Sequence, residues 1–199
     1  MYAVKISRDA SPIEGRGIFA EESIPGGTIV FFYSCEDRFI PKDVFRSSPD
    51  DRKEIFFRYG VEDEAGNWLV KEDCINHSCD ASILSMFVDG IYCDIAVRDI
   101  NIGEEITIDY GLFYSSFPWR MECNCNAIIC RRSFGSGLPV DIATQELWYS
   151  KISGAIGRIF EVEQYLFEID DENARALTAA LKAKRNPKVY PFIKFSLIS

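Results

Sequence analysis

Three cysteines crowd into a short stretch: Cys123, Cys125 and Cys130 give the spacing C-x-C-x4-C. Close thiolates suit zinc, which accepts soft sulfur ligands in a tetrahedron. Three thiolates leave one corner unfilled, and Cys35, Cys74, Cys79, Cys93 and His77 are the candidates for it. The chain holds 7 cysteines, an odd number. In a reducing compartment such crowding points to a metal rather than to disulfides. An all-cysteine site would be closed and structural, with no position left for water.

The single histidine lies in Asn76-His77-Ser78-Cys79. A Cys–His pair could be a nucleophile and its base, although no third group nearby would orient the imidazole. A buried histidine with its hydrogen bonds satisfied is the structural alternative. A third reading joins this segment to the cluster through Cys79.

The elements that would position these residues are short. Gly17-Ile18-Phe19-Ala20 reads as a strand, and so does Thr28 to Tyr33, after the turn Pro25-Gly26-Gly27. Residues 41–66 are polar and look like an insert, with a short helix near 50–58. Ile83–Val88 and the alternating stretch from Ile91 to Arg98 flank Asp89-Gly90, a tight hairpin signal. Ile24-Pro25-Gly26-Gly27-Thr28-Ile29-Val30 and Ile100-Asn101-Ile102-Gly103-Glu104-Glu105-Ile106 echo each other, as two strands entered through similar turns would. From about 141 the apolar period becomes helical: Leu147, Ile152, Ala155, Ile156, Ile159, Val162, Leu166 and Ile169. A second helix should run from Asp171 to Ala183 and stop at Asn186-Pro187.

Four of these stretches, in order, resemble the motifs of SET domains. Gly15-Arg16-Gly17-Ile18-Phe19-Ala20 is similar to the early Gly-x-Gly strand. Asn76-His77-Ser78-Cys79 looks like the Asn-His-Ser-Cys motif. Gly103-Glu104-Glu105-Ile106-Thr107-Ile108-Asp109-Tyr110-Gly111 is similar to Gly-Glu-Glu-Leu-Thr-x-Asp-Tyr-Gly. Cys123, Cys125 and Cys130, followed by Arg131, resemble the post-SET zinc motif.

The resemblance implies a mainly β fold, a β-clip of small curved sheets with a knot-like core, plus a C-terminal helical extension. The segments would be a SET domain at 1–114, a post-SET zinc-binding segment at 115–138 and the extension at 139–199. It implies that Cys79 is the fourth zinc ligand and that the Asn76 and Asp109-Tyr110 segments meet. The implied activity is S-adenosylmethionine-dependent N-methylation of protein lysines. Tyr110 would be the catalytic tyrosine, orienting methyl group and amine. Asn76 and His77 would contact the cofactor along with Tyr110. Gly15, Arg16 and Gly17 would let the backbone approach it, and Phe134 would lie against the adenine. Ile108, Phe113 and Tyr114 would line the substrate pocket. Ile108 stands where many relatives carry Phe or Tyr, and its smaller side chain suggests room for two or three methyls.

Some positions depart from the family pattern. Asp80-Ala81-Ser82 stands where a residue and then Pro-Asn are usual, and Asp73-Cys74 where Arg-Phe is common. Asn126 and Arg132 each replace a glycine.

Composition sets the outer bounds. The 199 residues are 47% hydrophobic and 27% charged, ordinary for a globular chain. No stretch approaches the roughly 20 apolar residues of a membrane span, and no signal peptide is visible at the start. The chain should stay inside the cell, in the cytoplasm rather than the nucleus, since no basic import signal stands out. The net charge of −9 falls wholly within residues 1–138. This argues against direct binding to nucleic acid and suits a basic, lysine-containing protein or peptide partner. The helical extension offers aromatic area to the core, to substrate or to a second copy of the chain. The rival functions are a zinc-stabilised SET-like binding module without turnover and a cysteine hydrolase using Cys79 and His77.

Overall fold

A computed structural model describes residues 1–37, 39–62, 65–70, 75–113, 120–135, 140–184 and 188–189. Tyr114, Cys74, Asp73 and Asn186-Pro187, singled out in the sequence, lie outside the described residues.

The hairpin forms where Asp89-Gly90 places it. Strand β6 (Ile83–Val88) pairs antiparallel with β7 (Ile91–Ala96). Asp89 and Gly90 have φ of 48° and 83°, the two positive angles that a type I′ turn needs. β3 (Ile29–Phe32) flanks β7, and the short β11 (Lys188–Val189) flanks β6, giving the order β11-β6-β7-β3. The alternation in β7 does not divide core from solvent, because both faces are covered. Cys93 and Ile95 face one apolar cluster, while Tyr92 and Asp94 are also buried. Asp94 accepts from the Ser85 hydroxyl at 2.8 Å, and Tyr92 stacks on Tyr33.

A second sheet has the order β1-β2-β8, from β1 (Ile6–Ala10), β2 (Arg16–Ala20) and β8 (Glu105–Ile106). The insert folds as α1 (Lys42–Ser47) and α2 (Asp50–Tyr59), followed by β4 (Gly60–Glu62) and β5 (Trp68–Val70). Phe45, Phe56 and Trp68 give it a small core of its own. The two echoing segments lie side by side: Ile24 and Ile100 exchange both backbone hydrogen bonds, at 2.9 and 2.8 Å. A short ribbon of β9 (Arg120–Glu122) and β10 (Ser133–Gly135) frames the cysteines.

The helical extension comprises α3 (Ile142–Arg158) and α4 (Glu172–Lys182), with a 3-10 turn at Tyr165–Glu168 between them. The helical period expected to run through Ile169 is therefore broken after Arg158. Asp141 and Asp171 cap the two helices, accepting from Thr144 N at 2.8 Å and Ala174 N at 3.0 Å. Both helices lie on the central sheet. Trp148, Ile152, Ala155, Ile159, Leu177 and Leu181 share one apolar cluster with Ile29, Phe32, Met86 and Ile95. A buried tryptophan removes about 150–250 Å² from water, so Trp148 is a large part of that contact. Tyr149 and Phe160 remain exposed.

The Pro25-Gly26-Gly27 turn is glycine for a reason found here. A Cβ on Gly27 would lie 2.8 Å from the Arg158 Cβ and 3.1 Å from the Ala155 carbonyl oxygen. The end of α3 rests directly on that turn. Gln164 completes the contact, donating to Gly27 O at 2.8 Å and accepting from Ile29 N at 3.0 Å. Among the described residues no helix is long and apolar enough to cross a membrane.

Candidate active site and metal cluster

Two distant stretches meet at the centre of the molecule. Ile108 lies beside both His77 and Ile83 through parallel bridges. Ile108 N donates to Asn76 O at 3.0 Å, and Ser78 N donates to Ile108 O at 3.1 Å. Ser82, fully buried, accepts from Thr107 N at 3.0 Å. The segment 105–109 is thus held inside the loop 76–83, a threaded core packed by Ile18, Ile75, Ile83, Ile106 and Ile108. Ile108 itself is buried in this cluster, and Phe113 is packed at its edge.

Tyr110 follows directly. Its amide donates to His77 Nδ1 at 3.1 Å, and its hydroxyl donates to Ile75 O at 2.8 Å. The Tyr110 ring lies 5.3 Å from that of His77, 5.8 Å from Phe134 and 5.7 Å from Phe113. Phe134 packs closely on His77, with centroids 3.9 Å apart. Burial, and then the charge of Arg131, pull the His77 imidazole down to about 3, so the ring is neutral at ordinary pH. Because Nδ1 accepts, the ring proton resides on Nε2, which points at Cys79 Sγ 3.3 Å away.

The strand carrying Gly15, Arg16 and Gly17 is tied to the same centre by Asn76. Its amide nitrogen lies 3.0 Å from Glu14 O, 3.1 Å from Arg16 O and 2.8 Å from Glu105 Oε1. A Cβ on Gly15 would meet nothing within 4 Å, so space is open above it. Gly17 is different: a Cβ there would lie 2.3 Å from Glu105 Oε1. Its bareness serves the Glu105 carboxylate, which the sequence reading had not singled out.

Cys79, Cys123, Cys125 and Cys130 come together with their sulfurs all within 4.8 Å of one another. Cys79 and Cys123 are 3.8 Å apart, the edge of a tetrahedron with metal–sulfur bonds of about 2.3 Å. Backbone amides point at the sulfurs: Cys79 N to Cys125, Arg131 N to Cys79 and Arg132 N to Cys130, at 3.3–3.4 Å. Burial pushes the thiols of Cys79 and Cys123 up. Cys125 is drawn down to about 7 against its burial, by the amide of Cys79 first. Such a group ionises as a whole only against a cation, so the donor set fits a structural metal ion. Of the fourth-ligand candidates, Cys93 is buried elsewhere and Cys35 is exposed. With its sulfur in the cluster and the facing His77 Nε2 carrying the ring proton, Cys79 has no base beside it, among the described residues, to take a thiol proton.

The two departures from glycine coincide with left-handed backbone. Asn126 and Arg132 have φ of 54° and 67°, angles at which most side chains are strained.

One buried group joins the segment before Tyr110 to the cysteine lobe and the extension. Asp109, 1% exposed, pairs with the Arg131 guanidinium and accepts from Gly111 N and from Trp148 Nε1, both at 2.9 Å. Burial pushes its carboxyl up, opposed chiefly by Arg131. Every one of these contacts is a donor, the setting of a carboxylate. Asp109 and Arg131 could be read from their motifs. Trp148, 39 residues from its partner, carried no local signal beyond its aromatic bulk.

The family profile of the SET domain matches residues 15–111, the stretch that holds the threaded core and Tyr110. Its curated relatives include human Histone-lysine N-methyltransferase 2B, 31% identical over 150 residues, 65% of this chain and 5% of that protein. Another is Histone-lysine N-methyltransferase, H3 lysine-4 specific, from Cryptococcus neoformans, 30% identical over 61% of this chain and 9% of that protein. Putative histone-lysine N-methyltransferase ASHH4 of Arabidopsis thaliana is 27% identical over 61% of this chain and 37% of its own length. The chain thus spans a small part of the longer proteins it matches.

Proposed function

We propose that this chain is an S-adenosylmethionine-dependent protein-lysine N-methyltransferase, with a structural zinc on Cys79, Cys123, Cys125 and Cys130. The observation that carries the reading is the placement of Tyr110 against His77 and Phe134, directly after the threaded segment. The cofactor supplies an activated methyl group on a sulfonium. The chain's own residues do the rest. Tyr110 donates its hydroxyl proton to Ile75 O, and this reading assigns its oxygen the acceptor's part toward the methyl group and the amine. Lysine attacks only as the neutral amine, and its ordinary pKa is about 10.4. An apolar substrate channel at Phe113 and Ile108 would favour the neutral form by excluding water; Tyr114, expected to line it as well, lies outside the described residues. Holding nitrogen, carbon and sulfur in line can lower the barrier by on the order of 7–11 kcal/mol.

Asn76 fixes the loop of Gly15 and Arg16, and in this reading that loop, His77 and Phe134 would hold the cofactor. The three segments, 1–114, 115–138 and 139–199, act in this reading as one unit. The substrate is a basic, lysine-containing segment, histone-like by analogy with the relatives' names. Reduced thiols holding a metal suit an interior compartment. Ile108 leaves room for more than one methyl. Mass spectrometry of a product that stays monomethylated under excess cofactor would refute that last point.

The test is incubation with labelled cofactor and an array of basic peptides. Tyr110→Phe should still bind cofactor in calorimetry while losing roughly 10²–10³-fold in rate. Cofactor binding with no transfer to any peptide would instead favour a binding module without turnover.

A further inference from the structure

We propose that one face of α3 holds the Tyr110 segment and the cysteine lobe in register, and that Trp148 is the positioning residue on that face. The inference rests on the functional reading above and adds a part of the chain outside the SET-domain match. The indole N–H of Trp148 donates to Asp109 Oδ2 at 2.9 Å. The other oxygen of that carboxylate holds Gly111 N and the Arg131 guanidinium. Asp109 immediately precedes Tyr110, and Arg131 immediately follows the ligand Cys130. The Trp148 ring also lies under Arg131, with the guanidinium carbon 5.4 Å from the ring centroid.

One turn further along α3, Lys151 pairs with Asp80 at 2.8 Å, and Asp80 immediately follows the ligand Cys79. Residues three apart share a helix face, so one face of α3 grips the neighbours of two metal ligands and of the active-site tyrosine. The opposite side is solvent, where Tyr149 is 65% exposed. Trp148 itself is 2% exposed. Losing its N–H would leave Asp109 Oδ2 buried without this donor, and the carboxylate would turn to share Arg131 and Gly111 N between both oxygens, shifting Arg131. Arg131 N caps Cys79 Sγ at 3.3 Å, so the slack passes to the cysteine lobe and to Phe134 beyond it.

The experiment compares the full-length chain with Trp148→Phe, which keeps a ring over Arg131 and removes only the donor. Tyr149→Ala on the outer face is the control. Three quantities are read: amide exchange at residues 109–113 and 120–135, release of zinc to a chelator, and the split between kcat and the KM for S-adenosylmethionine. The Trp148→Phe protein should show roughly tenfold faster lobe exchange and zinc release, the scale of one lost buried hydrogen bond. Its KM for the methyl donor should rise about tenfold, with kcat within a factor of about three. Amides of β6 and β7 should be unchanged, and Tyr149→Ala should match the parent throughout.

Lobe exchange and zinc release equal to the parent would overturn the proposal. So would an equal rise across β6, β7 and the lobe, the mark of a merely structural loss. Should Trp148→Phe fail to fold, Arg131→Lys leaves the helix core intact and must give the same local pattern; unchanged lobe exchange in that variant overturns the proposal. Exchange and zinc release need no turnover. A parent protein that transfers no methyl group would therefore sink the functional reading and leave this one decided on its own data.

Discussion

The Asn76 side chain donates to Glu105 Oε1 at 2.8 Å, joining two motifs that lie 29 residues apart. Ser11 reaches the same carboxylate, with its hydroxyl 2.9 Å from both oxygens. The carboxylate therefore sits pinned over Gly17 and cannot swing away.

Gly17→Ala should accordingly destabilise the protein by about 1–3 kcal/mol through overpacking. In a Glu105→Ala background the same change should cost much less, since the obstructing group is gone. Denaturant titration of the four proteins in this cycle measures the coupling. An equal cost in both backgrounds would show that the clash is not what demands glycine.

Metal content offers a separate check. One zinc ion per chain is expected by atomic emission, retained in Cys35→Ser and lost or weakened in Cys79→Ser. Zinc sites of this kind contribute about 10–16 kcal/mol, so losing one of four ligands should weaken binding by on the order of a hundredfold. Equal zinc affinity in Cys79→Ser would remove that residue from the ligand set.

Arg132→Gly should raise stability, or at worst leave it unchanged. Its φ of 67° costs a residue with a Cβ about 1–2 kcal/mol, and its amide, which points at Cys130 Sγ, is kept. The gain in thermal midpoint of the zinc-loaded protein is the measurement. A clear loss would mean that the arginine side chain makes an unrecognised contribution.

Acid stability should depend on Asp171. Burial raises its carboxyl, but the amides of Ala174 and Cys35 outweigh that and hold it below its ordinary value. A depressed folded pKa means the stabilisation is complete above the unfolded value of about 3.9 and fades as pH falls through the folded one. Asp171→Asn still caps α4 but should show a flatter loss of stability between roughly pH 5 and 2. Parallel pH profiles for the two proteins would dismiss the carboxylate.

The parts of this architecture legible in the sequence are those with local or motif-borne signals. Asp89-Gly90 marked its hairpin because two positive φ angles admit few residues. Cys123, Cys125 and Cys130 marked a metal because their spacing already brings three sulfurs together. Tyr110 and His77 could be paired only through the resemblance, since nothing local links residues 33 positions apart. The contact of Trp148 with Asp109 was invisible for the same reason. Asp94 reads as a solvent-facing position by alternation, yet it is fully buried, because the aromatic layer of Tyr33, Tyr92 and Phe31 covers the second face of its sheet. The helical period ran past its true end at Arg158 because Leu166 and Ile169 are core residues of a 3-10 turn and its exit.

The enclosure of residues 105–109 by the loop 76–83 also dictates an order of assembly. The β6–β7 hairpin can form alone from near neighbours, but closure around Ile108 requires a strand that emerges some 25 residues later to be already in place. Such late, non-local closure is slow. A nascent chain would spend that interval with Cys79 lacking its three partner sulfurs, which arrive only with residues 123–130.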